Sequence, residues 1–179
     1  KVGSEIITSI DIQNEIITNL IIDKREITQQ NINDNKNFAV KNLITKAIKK
    51  AEIDKFQIKN YNKVDLRKYI DDVAKNLNTN SDGLKEIFKQ KNIYYQAFKE
   101  KQEIELLWNT LIFSLYRNQT NVNIVEIDNE VEKIKENKSP DELKKVKERI
   151  LNQRKQEKLE LFSRSHFSNL ENSIVINFQ

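Results

Sequence analysis

Tyr94–Asn118, YYQAFKEKQEIELLWNTLIFSLYRN, is the longest run with helical periodicity and no breaker. Ile104, Leu107/Trp108, Leu111 and Leu115 recur at three- and four-residue steps, which places them on one helical face. Ala97 continues that face towards the start. Between Leu106 and Leu115 the run is apolar almost all round, the pattern of a helix wrapped by other elements. The run also holds the one Trp of the chain. It is expected to be a central core helix with shorter helices packed around it.

Outward from it, composition points the same way. The chain has 179 residues, room for one domain or a domain with an appendage, and enough to bury a core. It contains 2 Gly and 1 Pro, which disfavours a turn-rich all-β fold and favours long helices. Charged residues make up 32% and mean hydropathy is −0.72, but the apolar residues are periodic, so the polarity reads as solvated helix faces rather than disorder. Absence of Cys excludes disulfides, thiolate metal sites and a Cys nucleophile. The net charge of +4 comes from 31 basic and 27 acidic residues that are interspersed, so nucleic-acid binding is not expected. No apolar run is long enough for stable membrane insertion. The chain starts at Lys1 and contains no Met, as expected if it follows a removed segment such as a signal peptide.

Upstream of the core helix, Gly3-Ser4 reads as a turn in a short N-terminal strand, and Thr8 with Asp11 reads as a capping box. The helix that follows carries Ile12, Ile16, Ile17, Leu20 and Ile21 and fades in the polar stretch Gln29–Lys36. Asn37 is expected to cap a second helix with Phe38, Leu43, Ile44, Ala47, Ile48 and Ala51 inward. Asp65–Leu77 forms a third, with Leu66, Tyr69, Ile70, Val73 and Leu77 inward, and Ser81 caps a fourth with Leu84, Ile87 and Phe88 apolar. Downstream, Asn121–Val125 reads as an extended link and Glu126–Asn137 as a short helix. Ser139, Pro140 and Glu142 form a second capping box, opening a long helix to about Phe167. Asn152–Lys158 in that helix has no apolar residue, so it bridges solvent or leaves the body and returns. Ser173–Phe178, SIVINF, alternates as a strand does, and its expected partner is the N-terminal stretch.

This order of motifs resembles the SurA-like periplasmic chaperones. VGSEIITSIDI resembles the V-N-G-E-x-I-T-x-S-D-I opening of that family, with Gly3-Ser4 in place of Asn-Gly. KNLITKAIKKAEIDKFQIK resembles the helix that follows there, without its late Gly, near which Lys55 or Phe56 stands. Tyr95, Phe98, Lys99, Gln102, Glu103 and Ile104 occupy the places of the Y-x-x-F/Y-R-x-x-I-R-x-E-I helix. The last helix and SIVINF resemble the element that returns to close the family's core. The family's parvulin prolyl-isomerase modules have no counterpart, because only Glu136–Pro140 lies where they would stand. The resemblance implies a single mainly-α core domain over 1–179. It would comprise an N-terminal helical part, 1–137, a returning helix and strand, 138–179, and a small β-pairing of the two ends. It also implies a periplasmic, ATP-independent holdase for unfolded outer-membrane proteins or extended peptides, without isomerase activity.

No constellation for catalysis stands out, and neither an enzyme nor a cofactor or metal is expected. His166 is the one His and lacks recognisable partners in the sequence; near a helix end it reads as a surface or packing residue. The basic stretches Lys144–Arg149 and Arg154–Lys158 are mixed with Glu and read as solvated helix. Among the aromatics, Trp108 reads as core. Tyr94 and Tyr95 lie about 100° apart on a helix, so both cannot face the core squarely, and at least one is expected to line a groove. Tyr61, Tyr94, Tyr95 and Phe98 are the expected client-binding residues, in a groove between the core and the returning helix. Two other readings stay open: a cytoplasmic helical nucleic-acid-binding or scaffold module, and a remnant devoted to one protein partner. A homodimer formed by exchange of the chain ends or the long helix is compatible with the first reading.

Overall fold

The computed structural model describes residues 1–3, 5–134 and 139–176. Among these, the architecture is all-α, with α1 Ser9–Ile22, α2 Gln29–Lys55, α3 Lys63–Asn76, α4 Ser81–Gln90, α5 Tyr95–Tyr116, α6 Ile124–Glu132 and α7 Pro140–Ser173. The chain divides into two compact units: Lys1–Leu111 with Leu170–Gln179, and Ile112–Asn169. The boundary expected at 137/138, and the link expected from residue 136, fall largely on residues 135–138, outside the described residues.

In the first unit, α3 and α4 present Leu66, Ile70, Val73, Ala74, Leu84 and Phe88 to one another, and Ile93 and Phe98 complete the cluster. Ile17, Ile21 and Ile22 of α1 pack against it. A second cluster joins Ile16 and Leu20 of α1 to Ala39 of α2. The core helix buries Phe98, Ile104, Trp108 and Leu111, so the expected face is largely the buried one. Ala97 is exposed instead, since Phe98 takes the inward place one position on. Full burial of one large apolar side chain contributes roughly 1.5–3 kcal/mol, so clusters of this size are a main source of the unit's stability. Polar contacts complete it: Lys46 to Glu100 at 2.9 Å, Lys49 to Glu105 at 2.5 Å, and Lys49 Nζ 5.6 Å from the centre of the Trp108 ring.

Local signals explain the helix ends. Thr8 Oγ1 accepts from the Asp11 N–H, and Asp11 accepts in return from the Thr8 N–H, so the first capping box forms. The second forms too, between Ser139 and Glu142. α3 is capped by Asn62 and begins slightly before its expected start; α4 is capped by Asn80, whose side chain accepts from the Gly83 N–H, so Ser81 is its first helical residue rather than its cap. Four helices are followed by a residue in the left-handed region: Lys24, Gln57, Asn78 and Asn92, at φ 55–56°. In each, the next residue reaches back across the last turn, as Arg25 N–H does to Leu20 O at 2.8 Å and Ile93 N–H to Phe88 O at 2.9 Å. This is the Schellman closure, here made without glycine.

Further expectations need correction. α2 begins at Gln29, inside the polar stretch that was expected to separate two helices: Thr28, not Asn37, is its cap, accepting from the Asn31 N–H. Packing of Ile32 and Ala39 on α1 holds the polar first turns helical despite their weak propensity. With that register, Phe38 and Ala51 are exposed, while Ala39, Glu52 and Ile53 are buried. The extended link expected at Asn121–Val125 is shortened, because Asn123 Oδ1 accepts from Val125 N–H and starts α6 at Ile124. Finally, no strand is present among the described residues. α7 runs on to Ser173, past the expected end at Phe167, and the expected β-pairing of the chain ends reduces to one antiparallel bridge, Val2 with Ile176. Residues 177 and 178 of the expected strand lie outside the described residues.

The second unit is built differently. α6 buries Ile127, and the end of α5 buries Ile112, but α7 buries no residue fully along its 34 residues. Side-chain contacts tie α7 down: the Tyr116 and Phe162 rings stack at 4.8 Å and 2°, and Tyr116 Oη lies 2.8 Å from His166 Nδ1. Arg154 pairs with Glu130 at 2.8 Å, and Lys147 pairs with Asp128.

Candidate functional site

A cleft of about 210 Å³ opens in the first unit. Four pieces of chain line it: residues 5–7, α1, the middle of α2, and residues 93–101 at the start of α5. The capping box at Thr8 fixes how residues 5–7 enter α1. Gly3, at φ +54°, turns the chain so that Val2 N–H donates to Glu5 O at 2.9 Å. Val2 is buried, and thereby anchors the wall that follows it. The Schellman closure at Asn92 buries Ile93 and starts the opposite wall.

The apolar lining comes from Ile6, Ile7, Leu43, Ala47, Ile93 and Phe98. Ile6 and Tyr94 form exposed rims facing water. Around them stand charged pairs: Lys50 with Glu5 at 2.5 Å, Lys46 with Glu100 at 2.9 Å, and Lys101 with Glu15 at 2.5 Å. The hydrogen bond to Glu5 holds the Lys50 ammonium above its ordinary pKa, against the opposing pull of partial burial. The cleft is therefore an apolar trough with a fixed charged margin, a shape suited to an extended amphipathic segment.

Of the four expected client-binding residues, the structure brings Tyr94 and Phe98 to this cleft. Phe98 is chiefly a core ring, packed on Phe88 at 5.2 Å and on Tyr69 at 5.8 Å. Tyr95 turns to the α3–α4 cluster, edge-on to Phe88 at 5.9 Å, and burial pushes its phenol above its ordinary pKa. Tyr61 packs at the margin of the same cluster and donates to Glu103 Oε1 at 2.7 Å. So the adjacent tyrosines diverge: Tyr94 faces water and Tyr95 is half-buried. None of the residues lining this cleft comes from α7, against which the groove was expected.

Sequence reasoning did not pick out Ile6, Leu43 or Glu15 as cleft residues. Glu15 had a visible signal: it stands between Ile12 and Ile16 on the inward stripe of α1, an acid where apolar residues recur. Its side chain is 8% exposed. Burial, and then the charge of Glu15, raise the Tyr69 phenol above its ordinary pKa.

Elsewhere, no group of three His, Asp or Glu suited to a metal ion exists among the described residues, and none of their helices is long and apolar enough to cross a membrane. Lys147 and Arg154 in the basic stretches of α7 are engaged by Asp128, Glu130 and Glu157. No protein-family model, curated protein or solved structure matches the chain.

Proposed function

We propose that the chain is an ATP-independent holdase that binds extended apolar and aromatic segments of unfolded proteins, acting in the periplasm on outer-membrane β-barrel precursors and without prolyl-isomerase activity. The observation that carries this reading is the open cleft, whose rims Ile6 and Tyr94 are 71% and 68% exposed above the apolar lining of Ile93, Ala47 and Phe98. Apolar side chains left facing water around a trough cost solubility, and such a surface is what extended clients require. Binding the unfolded chain lowers its free concentration and so its self-association, with no need for a nucleotide.

The periplasmic setting and the client class come from the motif order that resembles SurA-like chaperones, together with the cleft. Light scattering of a chemically unfolded outer-membrane β-barrel protein on dilution tests the function. Suppressed scattering at a few-fold excess, with no acceleration of a proline-limited refolding reaction, is the expected result. Unchanged scattering at several-fold excess overturns general chaperoning and leaves a single partner or nucleic acid to be tested.

A further inference from the structure

This inference rests on reading the cleft as a peptide-binding site, and it concerns which segments enter. The charges of the cleft are engaged with one another: each of its three lysines pairs with a glutamate of the cleft, and Asp11 is held in the Thr8 capping box. The polar side chains left open are neutral. Asn14 and Thr18 of α1 both line the cleft, and neither side chain makes a hydrogen bond among the described residues. Thr18 is only 5% exposed. A helical Thr can satisfy its hydroxyl on its own helix, as Thr110 does by donating to Leu106 O at 3.0 Å, but Thr18 does not. Its hydroxyl is not enclosed either, because Asn19 Nδ2 is the one enclosed side-chain atom without a partner among the described residues. The Thr18 hydroxyl therefore opens into the cleft, where a bound segment can supply the partner that a nearly buried polar group requires.

Asn14 and Thr18 stand four residues apart, about 6 Å along the axis of α1. Main-chain groups on one side of an extended segment recur every second residue, about 6.6 Å. A segment lying along α1 therefore meets both. We propose that the cleft takes uncharged extended segments, with Asn14 and Thr18 hydrogen-bonded to the main chain of the segment and its apolar side chains on the lining that Ile6 and Tyr94 rim. The carboxamide and the hydroxyl can each donate and accept, so they suit main-chain N–H and C=O alike. A Lys, Arg, Asp or Glu entering the trough loses water and meets no unengaged counter-charge. Selection thus works by excluding charge of either sign while tolerating many neutral sequences.

The test uses the full chain and three short labelled peptides that differ only in a central Leu-Gln-Leu, Leu-Lys-Leu or Leu-Glu-Leu, titrated by fluorescence anisotropy. The Lys and Glu peptides are each expected to bind about fivefold more weakly than the Gln peptide. The affinity of the Gln peptide should change by less than about twofold as salt is raised. Thr18→Val removes the hydroxyl and should weaken the Gln peptide by about threefold to tenfold. Methylating single main-chain nitrogens of that peptide should cost wild type a similar factor at one position or more. At one such position it should cost Thr18→Val nothing further, because the hydrogen bond is already gone. If Thr18→Val does not fold by circular dichroism, Asn14→Ala takes its place beside the wild-type series. A Lys or Glu peptide that binds as tightly as the Gln peptide overturns the exclusion of charge. A folded variant with unchanged affinity, or a methylation series without effect, overturns the main-chain contact. If either happens while aggregation is still suppressed, the holdase reading survives alone. If no peptide binds and aggregation is not suppressed, both fall.

Discussion

The two units of this chain solve the same problem in opposite ways. Lys1–Leu111 is held by apolar faces that disappear from water: Leu20, Ala39, Ala74, Leu84 and Phe88 are all fully buried. Ile112–Asn169 contains most of a 34-residue helix that buries nothing fully and is held by a ring stack, a Tyr–His hydrogen bond and ion pairs. Stability gained from burial scales with apolar area, while exposed ion pairs contribute about 0–1 kcal/mol each. The first unit is therefore packed around fully buried apolar side chains, whereas the long helix of the second is only partly buried and adds ring and ion-pair contacts such as those of Tyr116.

The largest expected break comes in the first unit. Phe88→Ala empties a fully buried position and should destabilise by about 3–5 kcal/mol in denaturant unfolding. A cost under about 1 kcal/mol would show that the α3–α4 cluster does not carry the unit. In the second unit, Tyr116→Ala removes the stack on Phe162 and the contact with His166, and should cost about 1–3 kcal/mol. Tyr116→Phe isolates the hydrogen bond and should cost about 0.5–1.5 kcal/mol. Equal losses in the two variants would assign the whole effect to the hydroxyl. Next are gains: Lys24→Gly and Gln57→Gly relieve side chains held at φ 56° and 55°, and each should raise stability by about 1 kcal/mol. Asn78→Gly and Asn92→Gly should gain less, because Asn tolerates that conformation. The smallest effect belongs to Leu161→Ser, at an exposed position, which should change stability by under about 0.5 kcal/mol. A larger loss would mean that α7 buries more in solution than its side chains show.

Much of the fold could be read from the residues wherever the signal is local. Both capping boxes lie where a hydroxyl precedes an acid by three residues, and Leu66, Ile70 and Val73 announce their helix by spacing alone. Reading failed where tertiary contact overrides propensity, as in the polar first turns of α2, held by Ile32 and Ala39 against α1. It failed again at SIVINF, whose alternation cannot make a full strand while α7 consumes Ser173. Of the four aromatic residues, Tyr94 and Phe98 line the cleft, whereas Tyr95 and Tyr61 pack against the α3–α4 cluster, a divergence that spacing along one helix does not reveal. Ile6, Leu43 and Lys101 come from elements far apart in sequence, and only the fold brings them together.

Tyr94 and Leu161 are exposed to similar extents, 68% and 59%, one at the cleft of the first unit and one on α7. A photoreactive phenylalanine analogue placed at each position in turn, irradiated with an unfolded outer-membrane β-barrel protein, reads out where clients sit. Strong cross-linking from position 94 with little from position 161 is the predicted result. Equal cross-linking from both, or none from position 94 under conditions that suppress aggregation, would contradict the assignment of the cleft as the client site.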